Sequence, residues 1–363
     1  MSTKPIITFA RWGNYTVAFK TLFEGLGLEV IPPEKTNFQT IAAGAKLCPE
    51  MFCFPLKVNI GNYLGAIQKG ANTIFMATAL GGSCRLRYYS KVQDKVLKDA
   101  GFNINFITFD QSLKDIYLKI KEISQASFWQ ILRAAYFSFR KLWLIEKTEK
   151  IGQYLRPREI KKGETDKILF RAFSEIENLS NEKNFLKFKK ETLKTLSQVK
   201  IEKNKDIPKI GIIGEIYTVC DPEVNFGIEK KLGQEGIEVH REMDLTYHLK
   251  KKIFPWKDWI IQRKINPYLK STVGGHGRDA IYEILHYIKE DFSGIIHLLP
   301  AMCMPEVSVR PILEKIHQES GIPFLSLSLD EQAAEAGIDT RLEAFIDVVR
   351  NHYKRKRSEA SAA

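Results

Sequence analysis

The strongest constraint on the fold is an alternation that occurs twice along the chain. "PIITFA" (5–10) is followed by an amphipathic stretch over 14–26. Then come "LEVIPP", a helical stretch over 55–69, "TIFMAT" (73–78), a helix over 87–102 that ends at glycine, and "INFITF". Short apolar runs separated by segments of helical spacing read as right-handed βαβ units in a parallel sheet. The alternation resumes at "IPKIGIIGEIYTV" (207–219) and continues through "GIIHLLPAMC" (294–303) and "SGIPFLSLSLDE" to a closing helix over 339–357. Between the two blocks, apolar residues recur at helical spacing with Lys and Glu between them. The aromatic stripe "FWQILRAAYFSFRKLW" in that stretch reads as packing surface.

The fold class expected is therefore α/β: two Rossmann-like or flavodoxin-like parallel-sheet domains joined by a helical segment. The boundaries are an N-terminal α/β domain over 1–110, a helical connecting segment over 111–205, a C-terminal α/β domain over 206–357 and a disordered tail over 358–363. A chain of 363 residues is longer than one hydrophobic core usually serves. No repeat between the two blocks is visible in the residues themselves.

The net charge of +12 raises the question of an anionic partner. The lysines cluster at 141–205 and 249–264 but are interleaved with Glu and Asp, and no nucleic-acid motif accompanies them. The expectation is a lysine-rich solvated surface and no nucleic-acid partner, with an acidic protein or a phosphorylated substrate such as a CoA ester also compatible. No apolar run reaches the ~18 residues that a membrane helix needs. The N-terminus reads as a first strand rather than a signal peptide, so a cytoplasmic location without a membrane partner is expected.

Five cysteines carry the functional question: Cys48, Cys53, Cys84, Cys220 and Cys303. An odd count without an export signal argues against a disulfide framework. Ligand sites in parallel α/β sheets lie beyond the carboxyl ends of the strands. Cys84, Cys220 and Cys303 each follow a strand-like run, and Cys53 precedes a helix with Phe54 and Pro55 at the turn. Thiolates among apolar neighbours suit zinc or iron–sulfur clusters. Zinc knuckles with short Cys spacing and His partners are not seen, and the spacing from Cys48 to Cys53 matches only the first step of one ferredoxin pattern. Spacing alone leaves three readings open: inert core thiols, iron–sulfur ligands, and zinc binding or thiol catalysis.

The stretch "CFPLKVNIGNYLGAIQKGANTIFMATALGGSCRLRYY" (53–89) resembles the core of the 2-hydroxyacyl-CoA dehydratase subunit family. It is most similar to the acyl-CoA dehydratase activase-related branch, near the double-cubane cluster proteins. "GIIGEIYTV", "NFGIEKKLG", "VGGHG" (273–277), "HLLPAMCMPE" and "LSLDEQAAEAGIDTRLEAFID" carry the likeness through the second half, while 111–205 matches loosely. The resemblance implies a 4Fe–4S cluster held by three cysteines in a cleft between two α/β domains. Cys53, Cys84 and Cys303 are the matching positions. Cys48 and Cys220 are extra thiols, either further ligands of a larger, double-cubane type of cluster or small buried residues.

The resemblance also implies an ATP-dependent activator protein that delivers low-potential electrons, and a homo- or heterodimer with a related subunit. An acyl-CoA or other small substrate would be reduced, which makes the chain an iron–sulfur dehydratase or reductase component. A non-catalytic electron carrier or partner-binding module of the same fold is the alternative. No catalytic residue is singled out. Around the cysteines, Arg85 reads as a donor to a cluster sulfide, a partner for Glu306 or a helix cap. Glu215 reads as a polar site residue or a cap. Gly274, Gly275 and His276 read as an anion nest or a tight turn. Lys57 reads as a surface lysine or an anion ligand, and Asp330, Glu331 and Glu335 as salt-bridging groups.

Overall fold

Both blocks form a four-stranded parallel sheet, and the two sheets share one strand order. The computed structural model describes residues 4–78, 84–110, 112–254, 256–271 and 273–362. The chain divides into two units: Met1–Ile145 with Phe173–Lys189, and Glu146–Ala172 with Lys190–Ala363.

In the first unit, β1 (Ile6–Phe9), α1 (Thr16–Gly25), β2 (Glu29–Val30), α2 (Phe38–Leu47), α3 (Phe54–Gln68), β3 (Thr73–Thr78), α4 (Leu86–Asp99) and β4 (Asn105–Asp110) give the sheet order β2-β1-β3-β4. Ile7 lies opposite Thr73, and Ile74 opposite Phe106. The "LEVIPP" strand is only two residues long, because Pro32 and Pro33 supply no N–H to a ladder. Aromatic rings fill the sheet face: Phe75 stacks on Phe109 at 4.6 Å and meets the edge of Phe23 at 4.9 Å.

Helix α2 is absent from the sequence reading. It starts at a capping box in which Asn37 accepts from the Thr40 N–H at 3.0 Å and the Thr40 hydroxyl serves the Asn37 N–H. It then crosses α3 in backbone contact. A Cβ on Gly61 would stand 1.8 Å from the Thr40 carbonyl oxygen, and one on Gly44 2.0 Å from that of Lys57. Helix α3 is therefore enclosed on all sides, and every residue from Phe54 to Tyr63 is buried. Lys57 is 4% exposed and is not the surface lysine that its sequence context suggests.

The helical segment consists of α5 (Leu113–Ser124), α6 (Phe128–Leu155), α7 (Glu164–Glu177) and α8 (Glu182–Ser197). Helices α6, α7 and α8 each contribute residues to both units. The aromatic stripe of α6 packs only in part. Ile131, Ala134 and Phe137 point inward, Phe137 meeting Phe185 at 5.7 Å, while Trp129 and Tyr136 are exposed. A helix against one core buries one face, and the stripe is wider than that face.

The second unit continues with β5 (Lys209–Gly214), α9 (Ile216–Cys220), α10 (Ile228–Gln234), β6 (Glu238–His240), α11 (Leu245–Ile253), α12 (Trp256–Ile265), α13 (Gly277–Lys289), β7 (Gly294–Pro300), α14 (Met304–Ser320), β8 (Phe324–Leu329) and α15 (Glu335–Ala362). The sheet order is β6-β5-β7-β8, with Ile212 opposite Ile296 and Leu298 opposite Leu327. Every residue of β7 is buried, as expected of a central parallel strand covered on both faces. Lys231 holds Glu335 at 2.7 Å and Asp339 at 2.6 Å, which fixes the start of α15. That helix runs to Ala362, past the point at 357 where the sequence reading places a disordered tail. Ser358 and Ser361 donate back to the Lys354 and Arg357 carbonyls along it. Among the described residues no helix is long and apolar enough to cross a membrane.

Candidate metal centre

The five cysteines sort by helix end. Cys53 is the N-cap of α3, Cys303 is the N-cap of α14, and Cys84 stands one residue before Arg85, the N-cap of α4. Cys48 is the C-cap of α2, and Cys220 is the last residue of α9. A helix start presents unpaired N–H groups and partial positive charge, which favours a thiolate; a helix end does the opposite. Local structure thus separates Cys53, Cys84 and Cys303 from Cys48 and Cys220. No disulfide joins any of the five.

In the first unit, two of these thiols meet one aromatic side chain. Cys53 Sγ and the Tyr89 hydroxyl share a hydrogen bond, and Cys84 lies within electrostatic reach of the same hydroxyl. Burial, then the Cys53 and Cys84 thiols, push the Tyr89 hydroxyl far above the usual phenol range, with Arg85 acting in the opposite sense. Tyr89 therefore stays protonated and can donate to a thiolate. Arg85 donates to the Met51 carbonyl at 2.6 Å and lies 5.6 Å from the centre of the Phe52 ring. The segment after Cys84 is thereby joined to the loop before Cys53. Cys48 packs in the same core cluster as Cys53 and Tyr89. The two glycines before Cys84, Gly81 and Gly82, lie outside the described residues. On the outer side, a groove of about 630 Å³ runs between the end of α2 and α4, lined among others by Lys46, Tyr88, Lys91 and Lys95. Neither Cys53 nor Cys84 lines it, so it is a separate feature from the thiols.

In the second unit, Cys303 follows β7 as Cys84 follows β3, in the strand that holds the same place in the sheet order. The residues already place each cysteine after a strand; the strand order adds that the two strands correspond. Ligands in such sheets bind where the chain reverses its direction of winding, here beyond β5 and β7. Met302, just before Cys303, has a φ of 60°, a conformation uncommon for a side chain of its size. Glu215 sits at the end of β5. It caps α9 by accepting from the Thr218 N–H and hydroxyl, both at 3.0 Å, and its own N–H donates to the Leu298 carbonyl on β7. The residue is partly exposed, but its carboxyl is withdrawn from water. Burial, with Glu306 adding to it and the Thr218 and Tyr217 donors opposing it, raises the carboxyl to about 6.

Gly274 and Gly275 form a tight turn with φ of 77° and 50°. A Cβ on Gly275 would meet Pro305 Cγ at 2.9 Å, so the turn is pressed against the helix that Cys303 caps. His276 caps α13, and its Nε2 lies 3.5 Å from Nδ1 of His248.

Cys220 is held locally. Arg241 donates to its sulfur at 3.3 Å, and the thiol faces the Met243 carbonyl at 3.6 Å. Burial pushes this thiol well above its usual range despite Arg241.

Groups that the sequence reading passed over complete the second unit's interior. His297, fully buried in β7, shares a hydrogen bond with Glu306 at 3.0 Å and lies 3.3 Å from the Ser326 hydroxyl. A lone polar residue inside "GIIHLLP" is the signal that could have marked it. Thiol donors in aromatic surroundings beside a guanidinium are the right chemical type for a thiolate-bound group. Among the described residues, however, no group of three or more His, Cys, Asp or Glu side chains is gathered closely enough to hold a metal ion. Of the three thiols that the resemblance implies as ligands, Cys53 and Cys84 lie near Tyr89 in the first unit and Cys303 lies in the second.

Residues 11–81 match the family model described as a CoA enzyme activase uncharacterised domain. The match runs from just past β1 through α3 and β3, includes Cys48 and Cys53, and stops before Cys84. It fits the activase-related branch that the motifs resemble, whereas the likeness to a dehydratase subunit rests on the motifs alone. A search of curated proteins finds no match.

Proposed function

We propose that the chain is an iron–sulfur redox protein related to the 2-hydroxyacyl-CoA dehydratase components, with Cys53, Cys84 and Cys303 as the ligands of a 4Fe–4S cluster. The observation that carries this reading is the placement of these three thiols, and not Cys48 or Cys220, at helix starts. Such a cluster, when bound, supplies one-electron chemistry at low potential. The helix starts and Arg85 favour the thiolate form of the ligands. Tyr89 holds a donor against Cys53, and Glu215, ionising near pH 6, is able to hold or release a proton at the end of β5. Cys220 serves packing. A double-cubane cluster would need ligands beyond these three, and neither extra thiol is poised as one.

The partners in this reading are an ATP-dependent activator protein, a second subunit of the same kind, and an acyl-CoA or other small substrate. The matched domain's description, which speaks of activation of CoA enzymes, supports that setting. A cytoplasmic location suits five reduced cysteines. The alternative is a non-catalytic electron carrier or partner-binding module of the same fold. Anaerobically purified protein, followed by EPR while a panel of acyl-CoA thioesters is added, separates the two. A changed signal supports direct reduction of a substrate. An intact signal indifferent to every thioester supports the carrier, and protein with no cluster at all contradicts both redox readings and leaves the partner-binding module.

A further inference from the structure

The groove on the outer side of the first unit joins an apolar floor to a cationic rim. One wall is the last turn of α2, with Lys46 and Leu47. The other is one face of α4, on which Tyr88, Lys91, Val92, Lys95 and Val96 follow helical spacing. Val96 belongs to the core cluster that holds Cys53 and Tyr89, and Leu47 and Val92 pack against that cluster. The floor is thus the outer surface of the core, and the charges stand around it.

The rim is unbalanced. Three lysines and one aspartate, Asp99, line the groove, which leaves it a net charge of +2. Lys95 is held by Asp99 one turn on. Lys46 and Lys91 are exposed, stand on opposite walls, and form no ion pair among the described residues. Tyr88 is 61% exposed, with the Arg87 guanidinium 5.7 Å from its ring centre. A volume of about 630 Å³ is that of a small-molecule site. One carboxylate would satisfy one of the two unpaired ammoniums, whereas a chain of phosphates satisfies both. From Tyr88 to Lys95 the helix rises about 10 Å. That matches the reach from the base of a nucleoside diphosphate to its last phosphate.

We propose that this groove binds a nucleoside phosphate, with the base against the Tyr88 ring and the phosphates between Lys46, Lys91 and Lys95. The lysines set the attraction for the anion, which salt weakens because the rim is exposed. The tyrosine makes a nucleoside phosphate bind better than a bare phosphate chain, since every base offers a flat face to an aromatic ring. Two ligands share this chemistry: a free adenine nucleotide, and the adenosine phosphate end of a CoA thioester. The site stands apart from Cys53 and Cys84 and does not depend on the redox reading.

Fluorescence anisotropy of N-methylanthraniloyl-ADP, titrated with the full chain, tests it whatever the metal content of the protein. Saturable binding is expected. The double variant Lys46→Ala, Lys91→Ala should weaken it by about tenfold or more, the loss of two charge-assisted contacts. Tyr88→Ala should weaken it by about tenfold through lost stacking. All three positions are exposed, so the variants should fold, and Lys114→Ala, on α5 and outside the groove, should change nothing. Unlabelled ADP, CoA and inorganic pyrophosphate then compete for the site, and whichever of ADP and CoA displaces the probe better identifies the source of the nucleotide. No saturable binding, binding that either the lysine variant or Tyr88→Ala leaves intact, or pyrophosphate competing as well as ADP, overturns the proposal. Iron-free protein that binds the probe contradicts the redox reading and leaves this site standing.

Discussion

The guanidinium of Arg85 donates to the carbonyl oxygen of Met51 at 2.6 Å, and so ties the helix start beside Cys84 to the loop that leads into Cys53. Cation, aromatic ring and two thiols occupy one small region of the first unit. Arg85→Ala is expected to cost about 1 kcal/mol of stability, the worth of one partly exposed charged hydrogen bond. It should also shift the alkylation of Cys84 to higher pH, because a nearby cation favours the thiolate. The pH dependence of iodoacetamide labelling, followed residue by residue by mass spectrometry, checks the second effect. Arg85→Lys should restore part of it.

The crossing of α2 and α3 admits no side chain at Gly61. Gly61→Ala should destabilise the protein by about 3 kcal/mol or more, as overpacking against backbone does. The Cys48–Cys53 segment, which connects these helices, would be displaced with it. Gly337, in the first turn of α15 with nothing within 4 Å of its added Cβ, is the control. Gly337→Ala should be neutral or stabilise by up to about 1 kcal/mol. Urea denaturation of both variants is the measurement.

Stability should fall on the alkaline side because of Glu146. Burial, with Asp244 adding to it, raises its carboxyl to about 7, although the Thr246 N–H donates to it at 2.9 Å. The folded pKa exceeds the unfolded one, so the favourable contribution is complete below about pH 4 and is lost as pH rises through 7. Relative to Glu146→Gln, the wild type should lose on the order of 3 kcal/mol between pH 4 and pH 8. Denaturant titrations across that range decide it, and parallel curves would contradict the assignment.

On the acid side the sign reverses. Glu238 is buried, which alone would raise its pKa, but His240 and Arg158 more than offset that and bring it to about 2. Its contribution is present above about pH 4 and is lost as pH falls toward 2. Arg158→Met leaves this carboxylate buried without its cation and should cost about 3 kcal/mol at pH 7. Thermal melts at pH 7 and pH 3 should show the variant's deficit shrinking in acid.

How much of this was legible in the sequence depends on the range of the forces involved. The strands and most helices were, because alternation, glycine stops and prolines act locally: β3 occupies the residues expected of "TIFMAT", and Pro55 marks the start of α3. Helix α2 was not, because its apolar residues follow no clear period and a capping box starts it. Lys57 looked like a surface lysine because nothing near it in sequence shows that α2 closes over α3. Glu283, which is 1% exposed, sits in "GRDAIYEILHY", where a glutamate ordinarily faces water, and its burial comes from α11 and α14, remote in sequence. That the strands before Cys84 and Cys303 hold the same place in their sheets appears only with the strand order. Their positions after strands were readable, and so was the Cys-x-Pro that opens both α3 and α14.

The most direct test of the central claim is the iron and acid-labile sulfide content of anaerobically purified protein, measured for the wild type and for single Cys→Ser variants at 53, 84, 220 and 303. The account predicts a bound cluster in the wild type, its loss or marked depletion in Cys53→Ser, Cys84→Ser and Cys303→Ser, and unchanged content in Cys220→Ser. Wild-type protein without iron, or content that survives substitution of all three helix-start cysteines, would contradict it.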